Sequence, residues 1–199
     1  MPSRGREEGF FVANVMAKAR ETEIMDAAGL NRTLTRLAHE IVERNRGVDN
    51  VVLLGIRTRG LPLAERLNAK IRQIEGKELP LGTLDVTMYR DDVYKKIKQP
   101  VVQSTEIKFD IDGKAVIIVD DVLYTGRTVR AALDEIIDFG RPVAIQLAVL
   151  VDRGHRELPI RADYVGMTLQ TASGEEVKVK VREIDNHDGV LLIESTREA

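Results

Sequence analysis

Hydrophobic residues recur in two rhythms along the first half of the chain, and these rhythms predict a strand between two helices. After Asp26, a residue suited to the N-cap, apolar residues follow at helical spacing as far as residues 45–47, at Leu30, Leu34, Leu37, Ala38, Ile41 and Val42. The apolar run at 51–56 fits a short strand buried on both faces. A second helix begins near Leu61 and ends at Gly76, with an inner stripe of Leu63, Ala64, Leu67, Ile71 and Ile74.

The same order of elements returns further along the chain. Residues 84–89 and 115–119 are typical of strands, whereas the polar stretch at 90–106 shows neither rhythm and predicts a mobile loop or ribbon. A helix over 128–139 turns Val129, Leu133, Ile136 and Ile137 inward, Gly140 closes it, and residues 143–151 predict the next strand. Alternating strands and helices predict an α/β fold with a mostly parallel central sheet flanked by helices on both faces.

The two ends of the chain differ from this pattern. Three short apolar runs at 162–165, 177–181 and 190–193 predict strands that form a hood or a terminal hairpin. The first 22 residues lack sustained periodicity, which predicts a poorly ordered N-terminal extension ahead of a single domain over residues 23–199.

Composition excludes several classes of protein. The 199 residues are 43% hydrophobic and 31% charged, which is typical of a globular domain, and no window offers the roughly 20 apolar residues of a membrane span. The N-terminus lacks the residue order of a secretory signal, so a cytoplasmic location is the expectation. Cysteine is absent, which excludes disulfides and thiolate chemistry. The net charge is −2, so a nucleic-acid partner requires a local basic patch.

The segment with the clearest chemistry is Val-Ile-Ile-Val-Asp-Asp-Val-Leu-Tyr-Thr-Gly-Arg-Thr at residues 116–128. It places polar groups at the carboxyl end of a buried strand, where open α/β sheets bind ligands. Thr125, Gly126 and Thr128 then lead into a helix whose first N–H groups suit a phosphate. Asp120 and Asp121 would repel that phosphate, so their expected partners are sugar hydroxyls or a hydroxyl-bound Mg²⁺. One loop therefore suits a ribose 5-phosphate.

A simpler interpretation applies to most acid pairs of this kind, which only solvate a turn and cap a helix. The ordered combination of an apolar run, two acids and Thr-Gly-Arg-Thr favours the ligand site. The segment is not a P-loop, because the order Gly-x-x-x-x-Gly-Lys is absent.

The segment resembles the phosphoribosylpyrophosphate motif of type I phosphoribosyltransferases, and residues 120–128 look specifically like those of the PyrR family. Residues 34–40, 55–60, 89–92 and 150–164 are also similar to signatures of that family. The likeness extends from about Glu23 to the C-terminus. It implies a type I phosphoribosyltransferase fold with a small hood and a flexible loop, and a regulator of pyrimidine-operon transcription with uracil phosphoribosyltransferase activity.

The resemblance also implies roles for individual residues. Asp120 and Asp121 would hold the ribose hydroxyls of 5-phosphoribosyl-1-pyrophosphate (PRPP), which enters with Mg²⁺. Tyr124 lies in the same motif, and Arg90 would close over the leaving pyrophosphate. Further residues would contact the 5-phosphate, the pyrophosphate or the base, namely Val122, Leu123, Thr125, Gly126, Arg127, Thr128, Arg57, Thr58, Arg59, Arg153 and Val165. Taken singly, each of these arginines is more often a solvated surface charge.

The expected substrate is uracil rather than a purine. Purine relatives carry an acid one position before the Thr-Gly, where it serves the purine ring, and this chain has Tyr124 there. A neutral phenol is a poor proton acceptor. The site then lacks an obvious general base, which is compatible with weak activity.

RNA binding is expected from a local stripe of charge. Arg32, Arg36 and His39 are four and three residues apart, so one helical face presents them together, although such stripes are usually only solvated. The resemblance implies that a leader-mRNA hairpin is bound by Thr35, Arg36, His39, Thr58, His155 and Arg161. The chain departs from the family at Met167, where a lysine implicated in RNA binding is usual.

Two functions are therefore predicted, and they are compatible with each other. One is an attenuation regulator that senses UMP or UTP, binds pyr leader mRNA and has uracil phosphoribosyltransferase activity. The other is a uracil salvage enzyme with weak or no RNA binding. A purine or orotate phosphoribosyltransferase is disfavoured by the residues around Tyr124 and Arg153. The relatives imply a homodimer or homotetramer.

Overall fold

The computed structural model describes residues 20–86, 105–172 and 174–194, and within them the strands form two sheets. In chain order they are β1 (Arg20–Met25), β2 (Val51–Ile56), β3 (Leu81–Leu84), β4 (Ala115–Leu123), β5 (Ala144–Asp152), β6 (Tyr164–Thr168), β7 (Glu175–Lys180) and β8 (Gly189–Glu194). The central sheet has the order β3-β2-β4-β5-β6, and all its neighbours are parallel. Strands β1, β8 and β7 form a separate antiparallel sheet. We call this smaller sheet the hood.

Within these described residues, three longer helices cover the central sheet, and a fourth, short one belongs to the C-terminal segment. They are α1 (Ala27–Asn45), α2 (Gly60–Glu75), α3 (Arg127–Phe139) and α4 (Arg182–Asp185). Apolar residues of α1 and α2 share one core with β2 and β4, whereas those of α3 share a second core with the opposite face of the same strands. None of the helices in the described residues is long and apolar enough to cross a membrane.

Local signals place the ends of α1 and α2 where the sequence predicts them. The carboxylate of Asp26 accepts a hydrogen bond from the backbone N–H of Gly29 at 2.7 Å, so Asp26 caps α1 as expected. Helix α2 ends at Gly76, which adopts a positive φ of 70°. The doubly covered parallel sheet confirms the predicted α/β class.

The chain ends are arranged differently from the prediction. The run predicted at 162–165 becomes β6 and joins the central sheet beside β5, so only the last two tail strands enter the hood. The third strand of the hood is β1, which starts at Arg20, three residues before the expected start of the domain. Its partner β8 lies about 170 residues away in sequence, so no local pattern could indicate the pairing.

Two further boundaries differ from the prediction. Strand β4 continues through the acid pair to Leu123, because β5 is long enough to pair with it as far as Asp152. The strand expected at 84–89 is found earlier, at Leu81–Leu84, and residues 87–89 lie outside the described part of the chain. In α3 the expected inward residue Ile137 is 65% exposed, because small residues, Ala131 and Ala132, face the sheet instead.

Candidate active site

The acid pair lies at the carboxyl end of β4, in the middle of the central sheet. Asp120 is 3% exposed and Asp121 is 7% exposed, although carboxylates are rarely buried so fully. The backbone N–H of Asp121 donates to Asp120 at 2.9 Å, and that of Val122 donates to Asp121 at 2.9 Å. Burying a carboxylate is unfavourable, so two of them at a ligand-binding edge of the sheet mark a candidate site.

The turn between β4 and α3 has the shape that the sequence predicts for an anion site. Gly126 has a φ of +95°, and a Cβ there would lie 3.3 Å from Ile160, so a side chain would be both strained and crowded. The N-cap residue of α3 is Gly126, which has no side chain with which to cap the helix. The hydroxyl of Thr125 accepts a bond from the N–H of Arg127 at 3.3 Å. The helix N-terminus therefore presents N–H groups beside the acid pair.

The side chain of Arg127 is directed to a protein partner. Its Nε and Nη2 lie 2.8 and 2.6 Å from one carboxylate oxygen of Glu157. Arg127 is exposed, whereas Thr128, the next residue in the first turn of α3, is half-buried. The predicted contact of Arg127 with phosphate would thus use its backbone N–H or require this ion pair to open.

The loop that joins β2 to α2 packs against the same end of β4. A Cβ on Gly60 would lie 2.3 Å from the carbonyl oxygen of Val119, so only glycine allows this approach. The Arg57–Thr58 peptide bond is cis, and Thr58 is exposed. The structure therefore brings the segment predicted to bind pyrophosphate next to the acid pair.

Arg59, also predicted to contact pyrophosphate, is bound to the C-terminal segment. Its Nε and Nη2 donate to the two oxygens of the Asp185 carboxylate at 3.1 and 2.8 Å. The backbone N–H of Val181 also donates to Asp185 at 3.0 Å. The hydrogen bonds from Arg59 lower the pKa of Asp185 below its ordinary value, although partial burial opposes this shift. Asp185 therefore ties the β2–α2 loop to α4.

This tie gives a pH-dependent contribution to stability. Because the pKa of Asp185 is lower in the folded state, the contribution is present above the unfolded pKa of about 3.9 and is lost as pH falls through the folded value. We expect Asp185→Asn to lower the melting temperature at pH 7 by about 2–4 °C, the shift that about 1 kcal/mol produces in a domain of this size. Melting curves from pH 3 to 7 should show the two proteins converging at the acid end. A constant difference would contradict this account.

Tyr124, Arg153 and His155 form one cluster at the carboxyl ends of β4 and β5. The guanidinium of Arg153 lies 4.0 Å from the centre of the Tyr124 ring, which is a close cation–π contact, and the His155 ring meets Tyr124 edge-on at 6.2 Å. Arg153 donates to the Thr171 hydroxyl at 3.2 Å and to the Glu175 carbonyl at 2.9 Å. Residues assigned from sequence to three different roles thus lie together.

Arg36 joins the predicted RNA-binding face to the predicted base site. Its Nη2 donates to the carbonyl oxygens of Val165 and Gly166 at 3.0 and 2.6 Å, while Nη1 pairs with Glu40 on the next turn of α1. Val165 is the residue expected to flank the base. The backbone next to the base and the basic stripe on α1 are therefore in direct contact.

The other residues predicted to bind RNA are spread over several elements. Thr35 is half-buried and its hydroxyl donates to the carbonyl of Asn31 at 2.9 Å, whereas His39 on the same helix is exposed. His155 bonds through Nε2 to the carbonyl of Thr171 at 2.7 Å, and Arg161 is exposed ahead of β6. Arg90 lies outside the described residues.

Sequence reasoning assigned no role to Arg156 or Asp185, yet both hold the site together. Asp185 binds Arg59, and Arg156 binds the carbonyl of Tyr124 at 2.7 Å. Arg156 lies beside His155 in the motif at 150–164, and this position could have drawn attention to it. No local pattern indicated that it binds the carbonyl of Tyr124. The described residues hold no group of three or more His, Cys, Asp or Glu side chains arranged for a metal ion.

Comparison with known proteins identifies the family. The protein-family model described as the phosphoribosyl transferase domain matches residues 21–183 of this chain. A bifunctional protein PyrR from Pelotomaculum thermopropionicum is 61% identical over 178 residues, which cover 89% of this chain and 98% of that protein. A bifunctional protein PyrR from Deinococcus deserti is 60% identical over 174 residues, which cover 87% of this chain and 95% of that protein. The chain belongs to the PyrR family.

A solved structure supports the fold. The hypoxanthine phosphoribosyltransferase of Trypanosoma cruzi superposes with a TM-score of 0.67 and covers 88% of this chain and 97% of that one, at 17% identity. Identity this low shows the fold alone, and the predicted type I phosphoribosyltransferase fold is confirmed. Membership of the PyrR family also confirms the predicted class, a phosphoribosyltransferase that has a second function. The roles of individual residues stay predictions.

Proposed function

We propose that this PyrR-family protein transfers the phosphoribosyl group of PRPP to uracil, giving UMP and diphosphate. It also binds pyr leader mRNA in response to UMP or UTP and so controls transcriptional attenuation. The observation that carries the proposal is the buried pair Asp120 and Asp121, which lies beside an anion-binding turn in a chain 61% identical to a bifunctional PyrR.

The site residues fit a phosphoribosyl group from one end to the other. The ribose hydroxyls donate to the carboxylates of Asp120 and Asp121, and the 5-phosphate accepts N–H bonds from the turn at 125–128. The loop containing Arg57 and Thr58 faces the pyrophosphate. Mg²⁺ enters as part of the substrate and neutralises the pyrophosphate, and the adjacent carboxylates supply the oxygen donors that this ion prefers.

The reaction is a displacement at the ribose C1 carbon. N1 of uracil forms a bond to C1 as the bond from C1 to the pyrophosphate oxygen breaks, and the N1 proton is released to solvent. Positive charge develops on the sugar, and the buried carboxylates stabilise it. Tyr124 and Arg153, whose guanidinium lies over the Tyr124 ring, border the base. Their side chains offer hydrogen-bond donors to a pyrimidine carbonyl, and this favours uracil as the substrate.

Regulation is supported by the bonds of Arg36. This residue contacts the backbone at Val165 and Gly166 while half of its side chain stays exposed to solvent. A nucleotide base bound beside Val165 therefore changes the surroundings of a residue on the proposed RNA surface. This arrangement gives uridine nucleotides a physical route to influence RNA affinity.

A uracil salvage enzyme with weak or no RNA binding is the alternative, and Met167 favours it. Met167 pairs with Val151 across the sheet and packs against the apolar core, so it offers no cation at this position. Both proposals share the same catalytic site. A homodimer or homotetramer in the cytoplasm is expected in either case.

A two-part experiment tests the proposal. In the first part, pyrophosphate release is measured with PRPP, Mg²⁺ and either uracil, hypoxanthine or orotate, and only uracil should support turnover. In the second part, a pyr leader hairpin is titrated with and without UMP at two salt concentrations. Salt-sensitive binding that UMP strengthens supports the regulator. Turnover without specific hairpin binding supports the salvage enzyme, and turnover with hypoxanthine alone would reject both.

A further inference from the structure

Arg156 is bound at almost every donor position of its guanidinium. Nη1 donates to the carbonyl oxygens of Tyr124 at 2.7 Å, Gly154 at 3.0 Å and Leu123 at 3.3 Å. Nε donates to the Ile160 carbonyl at 3.0 Å, and Nη2 lies 2.6 Å from the Asp152 carboxylate. One side chain therefore connects the end of β4, the end of β5 and the segment between β5 and β6.

The same segment binds the rest of the turn that follows β4. The backbone N–H of Arg153 donates to the Leu123 carbonyl at 3.1 Å, and the N–H groups of Glu157 and Leu158 donate to the Thr125 carbonyl at 3.0 and 3.2 Å. Three consecutive carbonyl oxygens, those of Leu123, Tyr124 and Thr125, are thus held by residues 153–158. The central one, at Tyr124, is held by Arg156.

Because these carbonyl oxygens are held, the geometry of the peptide bond fixes where the N–H groups of the same peptide units point. In a trans peptide the C=O and the following N–H point in opposite directions. The N–H groups of Tyr124, Thr125 and Gly126 are therefore turned away from the segment 153–158. Successive N–H groups on one side of a turn form a concave site for an anion, and here they adjoin the N-terminus of α3.

The contribution of Arg156 is orientation and not net charge. Its charge is offset by Asp152, and both side chains are largely buried, so an incoming phosphate meets little of the cation itself. A planar guanidinium can bond several carbonyls and a carboxylate at once in fixed directions. A loop holding bound carbonyls cannot rotate its peptide groups without breaking those bonds.

We propose that Arg156 is a positioning residue for the phosphate of the phosphoribosyl group. It fixes the peptide planes between Leu123 and Thr125 so that the turn presents N–H groups to the 5-phosphate. The inference rests on the proposed function only in taking this turn as the phosphate site. It predicts that Arg156 affects ligands according to whether they carry a 5′-phosphate.

Binding of UMP and uridine to the full-length protein isolates this effect, because the two ligands differ only in the phosphate. We expect Arg156→Gln to weaken the binding of UMP about tenfold or more, which is the effect of losing one hydrogen bond between a backbone N–H of the turn and the charged phosphate. The binding of uridine should change by less than about twofold. The measured quantity is the ratio of the two dissociation constants. A merely structural role would weaken both ligands together and leave the ratio unchanged.

Arg66→Gln is the matched control. The side chains of Arg66 and Arg156 are both 22% exposed, and Arg66 binds two carboxylates, those of Glu183 and Asp188, away from the turn. Its loss should lower the melting temperature but keep the wild-type ratio of UMP to uridine affinity. Arg156→Lys, which keeps the charge but loses the planar fork, should give an intermediate ratio.

The outcomes separate this inference from the proposed function. A folded Arg156→Gln protein with the wild-type ratio would overturn the role of Arg156. If that variant fails to fold, Arg156→Lys decides the question. A wild-type ratio of UMP to uridine affinity in Arg156→Lys would mean that the planar guanidinium does not orient the N–H groups of the turn. Wild-type protein that binds UMP and uridine equally would instead reject the turn as a phosphate site, and with it the proposed function.

Discussion

Replacing Asp121 with asparagine is expected to lower uracil-dependent pyrophosphate release by about one to two orders of magnitude. A buried carboxylate that accepts hydroxyl bonds contributes about 1.5–3 kcal/mol, and about 1.4 kcal/mol corresponds to a tenfold change in rate. Asparagine has nearly the same shape, and its amide oxygen can still accept the N–H of Val122 as Asp121 does at 2.9 Å. The loss should therefore appear in turnover with PRPP and Mg²⁺ and not in the fold.

Asp163→Asn provides the comparison for this substitution. Asp163 also accepts a backbone N–H, that of Leu147 at 2.9 Å, and it pairs with Arg44, but it lies just before β6 and away from the acid pair. We expect this variant to be less stable and to turn over uracil at nearly the wild-type rate. Normal turnover by Asp121→Asn would show that the acid pair does not hold the ribose.

The parts of the fold that the sequence predicts are those encoded in local patterns. Asp26 and Gly76 end their helices through bonds and backbone angles that involve only neighbouring residues. The continuous apolar runs at β2, β4 and β5 predict strands covered on both sides, because a parallel sheet has helices on each face. The Thr-Gly turn after β4 is likewise a local feature, and its glycine has the positive φ expected of it.

Features that depend on distant pairing could not be predicted in this way. The pairing of β1 with β8 joins opposite ends of the chain, and β6 enters the central sheet only because β5 offers it an edge. Ile137 matches the helical period, yet it is exposed because Ala131 and Ala132 bring the opposite side of α3 onto the sheet. In such cases packing decides between faces that periodicity alone does not distinguish.

The candidate site shows the same division. Asp120, Asp121 and Gly126 could be proposed from the sequence because their order along the chain suits a ribose and a phosphate. The bonds of Arg59 to Asp185 and of Arg156 to Tyr124 could not, because the partners are 126 and 32 residues apart in sequence. Charged residues that hold a site in place look, in sequence, like any solvated surface charge.

Removing the side chain of Arg36 is expected to weaken binding of the pyr leader hairpin about tenfold and to reduce its dependence on salt. Each phosphate that a cation neutralises adds somewhat less than one to the slope of log affinity against log salt, so the slope of Arg36→Ala should fall by about 1. Arg36 also donates to the carbonyls of Val165 and Gly166, beside the proposed base site. We therefore expect the increase in RNA affinity produced by UMP to shrink in the same variant.

Arg44→Ala separates this role from the general effect of removing a cation from α1. Arg44 lies two turns further along the helix, its side chain is 51% exposed compared with 47% for Arg36, and it pairs with Asp163 as Arg36 pairs with Glu40. Titrations of the hairpin with and without UMP should leave the Arg44 variant close to wild type. Equal losses in both variants would assign RNA binding to the overall charge of α1, and unchanged binding by Arg36→Ala would place the RNA on another surface. Arg36, unlike Arg44, donates to the carbonyls of Val165 and Gly166 beside the proposed base site, so a selective loss of the UMP response would connect nucleotide sensing to the geometry of Arg36.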